Sequence, residues 1–188
     1  LLYIPAFAND LFFIFTTTAL EWLVADYATS FLMLAVVLAI PVLRADVIAS
    51  IPLKRGLYES RILMGLRLAA AVWGSVFILM LIEYFVHIPL QRALPQYYLF
   101  AYPKLDSPWL YWLDLTFGLV LSAVSQELSF RCIARSVLKI YFKKDSAIIL
   151  LSALVFGLAH WSHGIANISA NVLSGIVFMI LFIHSGSI

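Results

Sequence analysis

The sequence predicts an all-α protein, a polytopic transmembrane bundle of about five to six spans. Three observations carry that expectation. The 188-residue chain is 64% hydrophobic and only 12% charged, with a mean hydropathy of +1.01, whereas a soluble domain is about half apolar and a quarter charged. Its apolar residues are gathered into runs approaching the roughly 20 residues that a helix needs to cross a bilayer. Ten of its 12 basic residues fall in two stretches separated by apolar sequence, the pattern of cytoplasmic loops.

In chain order, residues 11–25 are a first candidate, but Asp10, Glu21 and Asp26 leave it short, so an interfacial helix or the remnant of a span is expected. Five clearer apolar runs follow at 29–43, 64–86, 109–124, 147–161 and 168–184. Arg44, Lys54, Arg55, Arg61 and Arg67 come after the first of these, and Arg131, Arg135, Lys139, Lys143 and Lys144 after the third. The positive-inside rule then puts 44–67 and 131–144 in the cytoplasm, with a consistent alternation across all five spans of a multi-pass cell-membrane protein. Glu127 would sit near the cytoplasmic side. A nucleic-acid partner is excluded, because phosphate-contacting surfaces rarely accompany so much apolar sequence.

Pro41, Pro89, Pro95, Pro103 and Pro108 are expected at helix ends or in loops. Residues 96–102, with Trp109, Tyr111 and Trp112, read as an aromatic belt at the outer interface. The single cysteine, Cys132, excludes an internal disulfide and reads as a packing residue. No signal peptide is apparent. The start at Leu1 and the stop at Ile188, directly after an apolar helix, lead us to expect further sequence at one or both ends.

Two polar stations interrupt the apolar runs. The first is residues 126–131, where Glu127 and Arg131 are i and i+4 neighbours if the third helix continues past residue 126. Glu before Arg is the favourable order on a helix. Such a pair serves either as a structural staple, since neither charge is cheap to bury alone, or as a general base (Glu127) whose orientation and ionised state Arg131 fixes. Gln126 beside them donates and accepts hydrogen bonds but takes no proton at neutral pH. The second station is Phe156 and His160, again i and i+4, followed by Ser162, His163, Asn167 and Asn171. His160 and His163 have weak metal-pair spacing without the stronger His-Glu-x-x-His signature. Ser162 and Asn167 read as cap residues, while Asn171, Ser174 and Gly175 make a small polar stripe suited to close helix packing. Ionisable groups at membrane depth usually face a protein interior or a watery cavity, so the two stations suggest one polar chamber. Their depths conflict, however, since a simple model puts Glu127 near the inner face and His160 near the outer.

The ordered pair of stations resembles the CAAX-protease and bacteriocin-processing family of intramembrane proteases. That family includes type II CAAX prenyl endopeptidases and bacterial abortive-infection-type proteins. Its first motif, Glu-Glu-x-x-x-Arg with an aromatic before the Arg, corresponds to Gln126, Glu127, Phe130 and Arg131, and its second, Phe-x-x-x-His, to Phe156 and His160. The resemblance covers about residues 105–188. It implies N-terminal helices in 1–104 and a catalytic region in 105–188.

The activity implied is hydrolysis of a peptide bond in a membrane-associated, in some cases lipidated, protein or peptide. Glu127 and His160 would activate water, with Gln126 and Arg131 assisting and Phe130, Phe156 and Asn171 lining the substrate. Zinc, if used, would be held by Glu127 and His160, but a catalytic zinc normally needs a third protein ligand, and a metal-free mechanism fits these residues as well. Two departures stand out. Gln126 replaces the leading Glu, and the family's last motif, His with Asn four positions on, is expected beyond Ile188; it would stabilise the oxyanion. The rival expectations are a non-catalytic scaffold that binds hydrophobic peptides and a small proton-coupled transporter.

Overall fold

The computed structural model describes residues 3–50, 61–94 and 104–185, which form seven helices and no strands. The aromatic segment 96–102, Pro95, Pro103, Lys54 and Arg55 lie outside the described residues. Helix α1 (Ile4–Phe15) ends where the chain turns extended at Thr16, and α2 (Ala19–Ala39) begins from an N-cap at Thr18. The run 11–25 is therefore two helix ends with a break between them. Thr18 and Glu21 form a capping box: the Glu21 amide donates to Thr18 Oγ1 (3.2 Å), and Glu21 Oε2 accepts from the Thr17 and Thr18 amides (2.8 and 3.1 Å). This exchange satisfies amides that the first turn of α2 leaves without partners, and fixes its start ten residues before the apolar run does.

Helix α3 (Pro41–Ser50) opens on a proline, which lacks the amide that a first helical turn leaves unused. Helix α4 (Arg61–Ile82) continues through a π-helical stretch, Glu83–His87, into a last α-helical turn, Ile88–Ala93. Pro89 thus lies inside this helix and not at its end. A proline ring presses on the carbonyl one turn earlier and removes a donor, and the wide turn just before it, closed by the Ile88 amide on the Glu83 carbonyl, makes the room.

Helix α5 runs unbroken over 34 residues, Pro108–Tyr141. It contains two π-helical stretches, Asp114–Gly118 and Leu128–Ile133. Helix α6 (Asp145–Leu158) and α7 (Gly164–Ser185) form a hairpin through a short 3-10 turn, Trp161–His163. Gly157 lets them touch, since a Cβ there would overlap the Val172 side chain and come 2.8 Å from the Ile168 carbonyl oxygen. Gly164 has φ 82°, which favours glycine, and it turns the chain into α7.

Among the described residues, four helices are long and apolar enough to cross a bilayer: Ala19–Ala39, Trp73–Ala93, Pro108–Tyr141 and Trp161–His184. The protein is a polytopic α-helical membrane bundle. The difference from five or six lies in Ile4–Phe15 and Asp145–Leu158, which are apolar but short. At 1.5 Å per residue α6 is about 21 Å long, against a hydrocarbon core of about 30 Å.

Helix α5 lies among the others. Val37 of α2, Val47 of α3, Cys132, Ile133 and Ala134 of α5, Ile148 of α6, and Met179 and Phe182 of α7 make one buried cluster. Met33, Phe130, Phe156 and Ala159 make a second, covered by Tyr3, Ala6 and Phe7 from the start of the chain. Residues 129–134 are all buried, and Cys132 is a packing residue there.

Candidate functional site

The two stations, expected at opposite faces, lie against each other in the bundle. Because α5 continues to Tyr141, Glu127 lies near its middle instead of its end. Because α6 ends at Leu158, His160 stands in the turn before α7, half-buried against Phe156. The stations then meet through their aromatic residues. The Phe130 and Phe156 rings are 5.2 Å apart, edge to face, and Phe156 and His160 are 5.0 Å apart in the same arrangement. The Arg131 guanidinium carbon stands 4.2 Å from the centre of the Phe156 ring and 5.2 Å from that of Phe178. At such distances a buried cation is held by the negative face of the ring.

Glu127 and Arg131 form the expected pair, with Arg131 Nε 3.5 Å from Glu127 Oε2. Arg131 is buried, and its Nε and Nη1 have no hydrogen-bond partner among the described residues. The ring contacts and the Glu127 carboxylate are therefore what compensates its charge.

His160 is oriented from its own helix. Its Nδ1 lies 2.9 Å from the Phe156 carbonyl oxygen. A carbonyl only accepts, so Nδ1 carries the proton, and in the neutral ring Nε2 is left with the lone pair.

A cavity of about 290 Å³ is bordered by Gln126 and Phe130 from α5 and by His160 and His163 from the turn before α7. Gln126 donates from Nε2 to Ser122 Oγ (2.9 Å), one turn back on the same wall. Glu127, Phe156 and Asn171 do not border it. Asn171 instead donates through Nδ2 to the Asn167 carbonyl (3.0 Å) and to its side-chain oxygen.

Three carboxylates not singled out as site residues also border this cavity: Asp10, Asp26 and Asp114. Asp10 Oδ2 accepts from the Ser162 amide at 3.0 Å. Asn9 donates to Asp26 Oδ1 (3.3 Å) and accepts from Thr29 Oγ1 (3.0 Å), and the Tyr27 hydroxyl donates to Asp114 Oδ1 (3.3 Å). Read from sequence, Asp10 and Asp26 only shortened an apolar run. The signal was nonetheless present, because a carboxylate within a spanning helix, as Asp26 and Asp114 are, usually faces a polar interior. Among the described residues, no group of three or more His, Cys, Asp or Glu side chains converges as a metal site.

Phe130 and Arg131 on α5, Phe156 on α6 and His160 in the turn after it all lie in a segment that is similar to a known family. Residues 108–188 match the family model described as Type II CAAX prenyl endopeptidase Rce1-like. Both motifs lie within this Rce1-like segment, in agreement with the resemblance they carry. The segment opens at Pro108, the first residue of α5, and covers less than half of the chain. Asp10 and Asp26 lie outside it. Comparisons with curated proteins and with solved structures gave no match.

Proposed function

We propose that this protein is an intramembrane endopeptidase that hydrolyses a peptide bond of a membrane-associated protein or peptide. The observation that carries the reading is the convergence of the two motifs: Gln126 and His160 border one cavity, while Arg131 caps the Phe156 ring. In this reading water attacks the scissile carbonyl carbon and gives its proton to Glu127, aided by hydrogen bonding to His160 Nε2. The tetrahedral intermediate then collapses, the proton passes to the leaving nitrogen, and a carboxylate and an amine are released. Arg131 keeps Glu127 ionised and aimed, and the Gln126 amide holds the substrate or the water. Phe130 lines the substrate path on the cavity wall and Phe156 supports it by ring contact, whereas Asn171, expected to line the path, does not border the cavity. A catalytic zinc takes three protein ligands; Glu127 and His160 supply two, one short of that set.

The same reading makes 105–188 the catalytic region and 1–104 its supporting helices. It makes the protein multi-pass in the cell membrane with 44–67 cytoplasmic, whereas 131–144, expected there too, begins inside the bundle at the buried Arg131, so that its end at Lys139, Lys143 and Lys144 is what reaches the cytoplasm. The substrate comes from the bilayer and carries a lipid in some cases.

The test is cleavage of fluorogenic peptides, lipidated and unlipidated, by the full-length encoded protein in nanodiscs. Glu127→Gln and His160→Ala each abolish cleavage, and a chelator leaves it unchanged. Full activity in both variants would sink the proposal, and loss with the chelator would sink its metal-free form.

A second reading has its own observation. The cavity wall presents the Gln126 amide where the family pattern has a carboxylate, and Glu127 does not border the cavity. This favours a non-catalytic scaffold that binds hydrophobic peptides.

A further inference from the structure

The turn that carries His160 has a supply problem. Helix α6 ends at Leu158 and α7 starts at Gly164. The amides of Ala159 and His160 still reach back to the carbonyls of Val155 and Gly157 (3.0 and 3.1 Å), and that of His163 reaches the His160 carbonyl (3.3 Å). Ser162 is fully buried between them, so its amide needs an acceptor from elsewhere in the fold. That acceptor is Asp10 Oδ2, 152 residues earlier in the chain, at 3.0 Å. One residue before it, Trp161 Nε1 donates to the Phe7 carbonyl at 3.2 Å.

Phe7 and Asp10 are one turn apart on α1, so the same face of that helix meets the turn twice. The N-cap residue of that helix, Tyr3, meets the other motif. The Tyr3 hydroxyl donates to the Ser129 carbonyl (3.0 Å), and the Tyr3 ring stacks on Phe130 with centres 4.9 Å apart. Burial pushes the Tyr3 phenol up to about 12, so it keeps the proton it donates. Helix α1 therefore touches Ser129 and Phe130 at one end and Trp161 and Ser162 at the other. It lies entirely outside the segment that matches the family model.

We propose that α1 is a clasp that sets the two motifs against each other, and that Asp10 is a positioning residue acting on His160 through the Ser162 amide. This rests on the proteolytic reading for its purpose, but its geometry is testable without cleavage. Asp10 does not act on substrate in this role. It fixes the backbone on which the imidazole is mounted, and an error of about 1 Å in such a mounting costs about a hundredfold in rate.

The experiment is ¹⁵N imidazole spectroscopy of the full chain in nanodiscs, run beside the fluorogenic peptide assay. The chain has four histidines, so the His160 signals are assigned by one substitution. In the wild type His160 shows a protonated Nδ1 and an unprotonated Nε2. Asp10→Ala shifts those signals towards a tautomer mixture and lowers kcat by about tenfold to a hundredfold with KM within about twofold. Asp10→Asn keeps an oxygen acceptor and restores both the signals and kcat. Wild-type His160 signals in Asp10→Ala overturn the proposal, as does failure of Asp10→Asn to rescue. If Asp10→Ala does not fold, Trp161→Phe decides: it removes only the bond to Phe7, shifts the same signals if the clasp acts on the turn, and overturns the proposal if it leaves them unchanged. A wild type that shows the expected tautomer yet cleaves no peptide refutes the proteolytic reading and leaves the clasp standing.

Discussion

Replacing Arg131 by Met separates a staple from a catalytic partner. Methionine keeps the length and fills the space between the Phe156 and Phe178 rings, while the charge disappears. Three attractions are lost. Across 3.5 Å the Coulomb term with Glu127 is about 5 kcal/mol at an effective dielectric of about 20. Glu127 is 29% exposed, so water screening and side-chain ordering leave about 1 kcal/mol of it. The cation–π contact at 4.2 Å contributes about 2 kcal/mol in a desolvated setting, and the one at 5.2 Å about 0.5–1 kcal/mol. Against this total of about 4 kcal/mol stands the removal of a buried guanidinium whose Nε and Nη1 lack hydrogen bonds, a relief of several kcal/mol. Arg131→Met should therefore unfold within about 2 kcal/mol of the wild type, measured by reversible unfolding in mixed micelles. Cleavage should nevertheless fall by about a hundredfold or more, because Glu127 loses the charge that keeps it ionised and aimed. Unchanged cleavage refutes the role given to Arg131. A loss of stability above about 4 kcal/mol that accounts for the lost activity refutes it equally, and makes the pair a staple.

Two further predictions bear on neighbouring residues. Gln126→Glu places a carboxylate on the cavity wall with Ser122 as its donor, and should raise cleavage by about tenfold or more if a base is lacking there; no gain favours a site that already works through Glu127. Gly157→Ala drives a methyl group into Val172 and the Ile168 carbonyl, and should destabilise the α6–α7 hairpin by about 1–3 kcal/mol, measured by the same unfolding assay, with wild-type stability refuting the close approach.

The spanning helices were legible because apolar length is written locally. The run 168–184 lies inside α7, and 64–86 lies within α4 and its π stretch. The pairing of Glu127 with Arg131 was legible for the same reason, since an i, i+4 relation needs only a continuing helix. Where that helix ends was not, because Ser129, Arg131 and Arg135 look like an interface in sequence and are tolerated at depth only by partners from other helices. Phe156 and Phe178 over Arg131 are such partners, and no spacing rule links them to it. The acidic wall escaped for a related reason. Asp10, Asp26 and Asp114 come from three helices, and a hydropathy scan records each only as a defect in its own run. The end of α6 at Leu158 was not legible either, because the apolar run continues in sequence to Trp161 and reads as a span, whereas the helix has 14 residues, a length more typical of a buried or re-entrant segment.

The π-helical stretch Leu128–Ile133 shifts the helical phase of α5 between its cavity-facing and its packed segments. A π turn holds an extra residue relative to an α turn, so the stripe facing the cavity at Ser122, Ser125 and Gln126 and the stripe packed at Ala134 and Leu138 belong to different wheels. Deleting a single residue between 128 and 133 would remove the wide turn and leave a continuous α-helix, with the buried face of 134–141 kept in place. A deletion between the two wide turns, in 119–127, has no such slack and would turn the helix beyond it by about 100°.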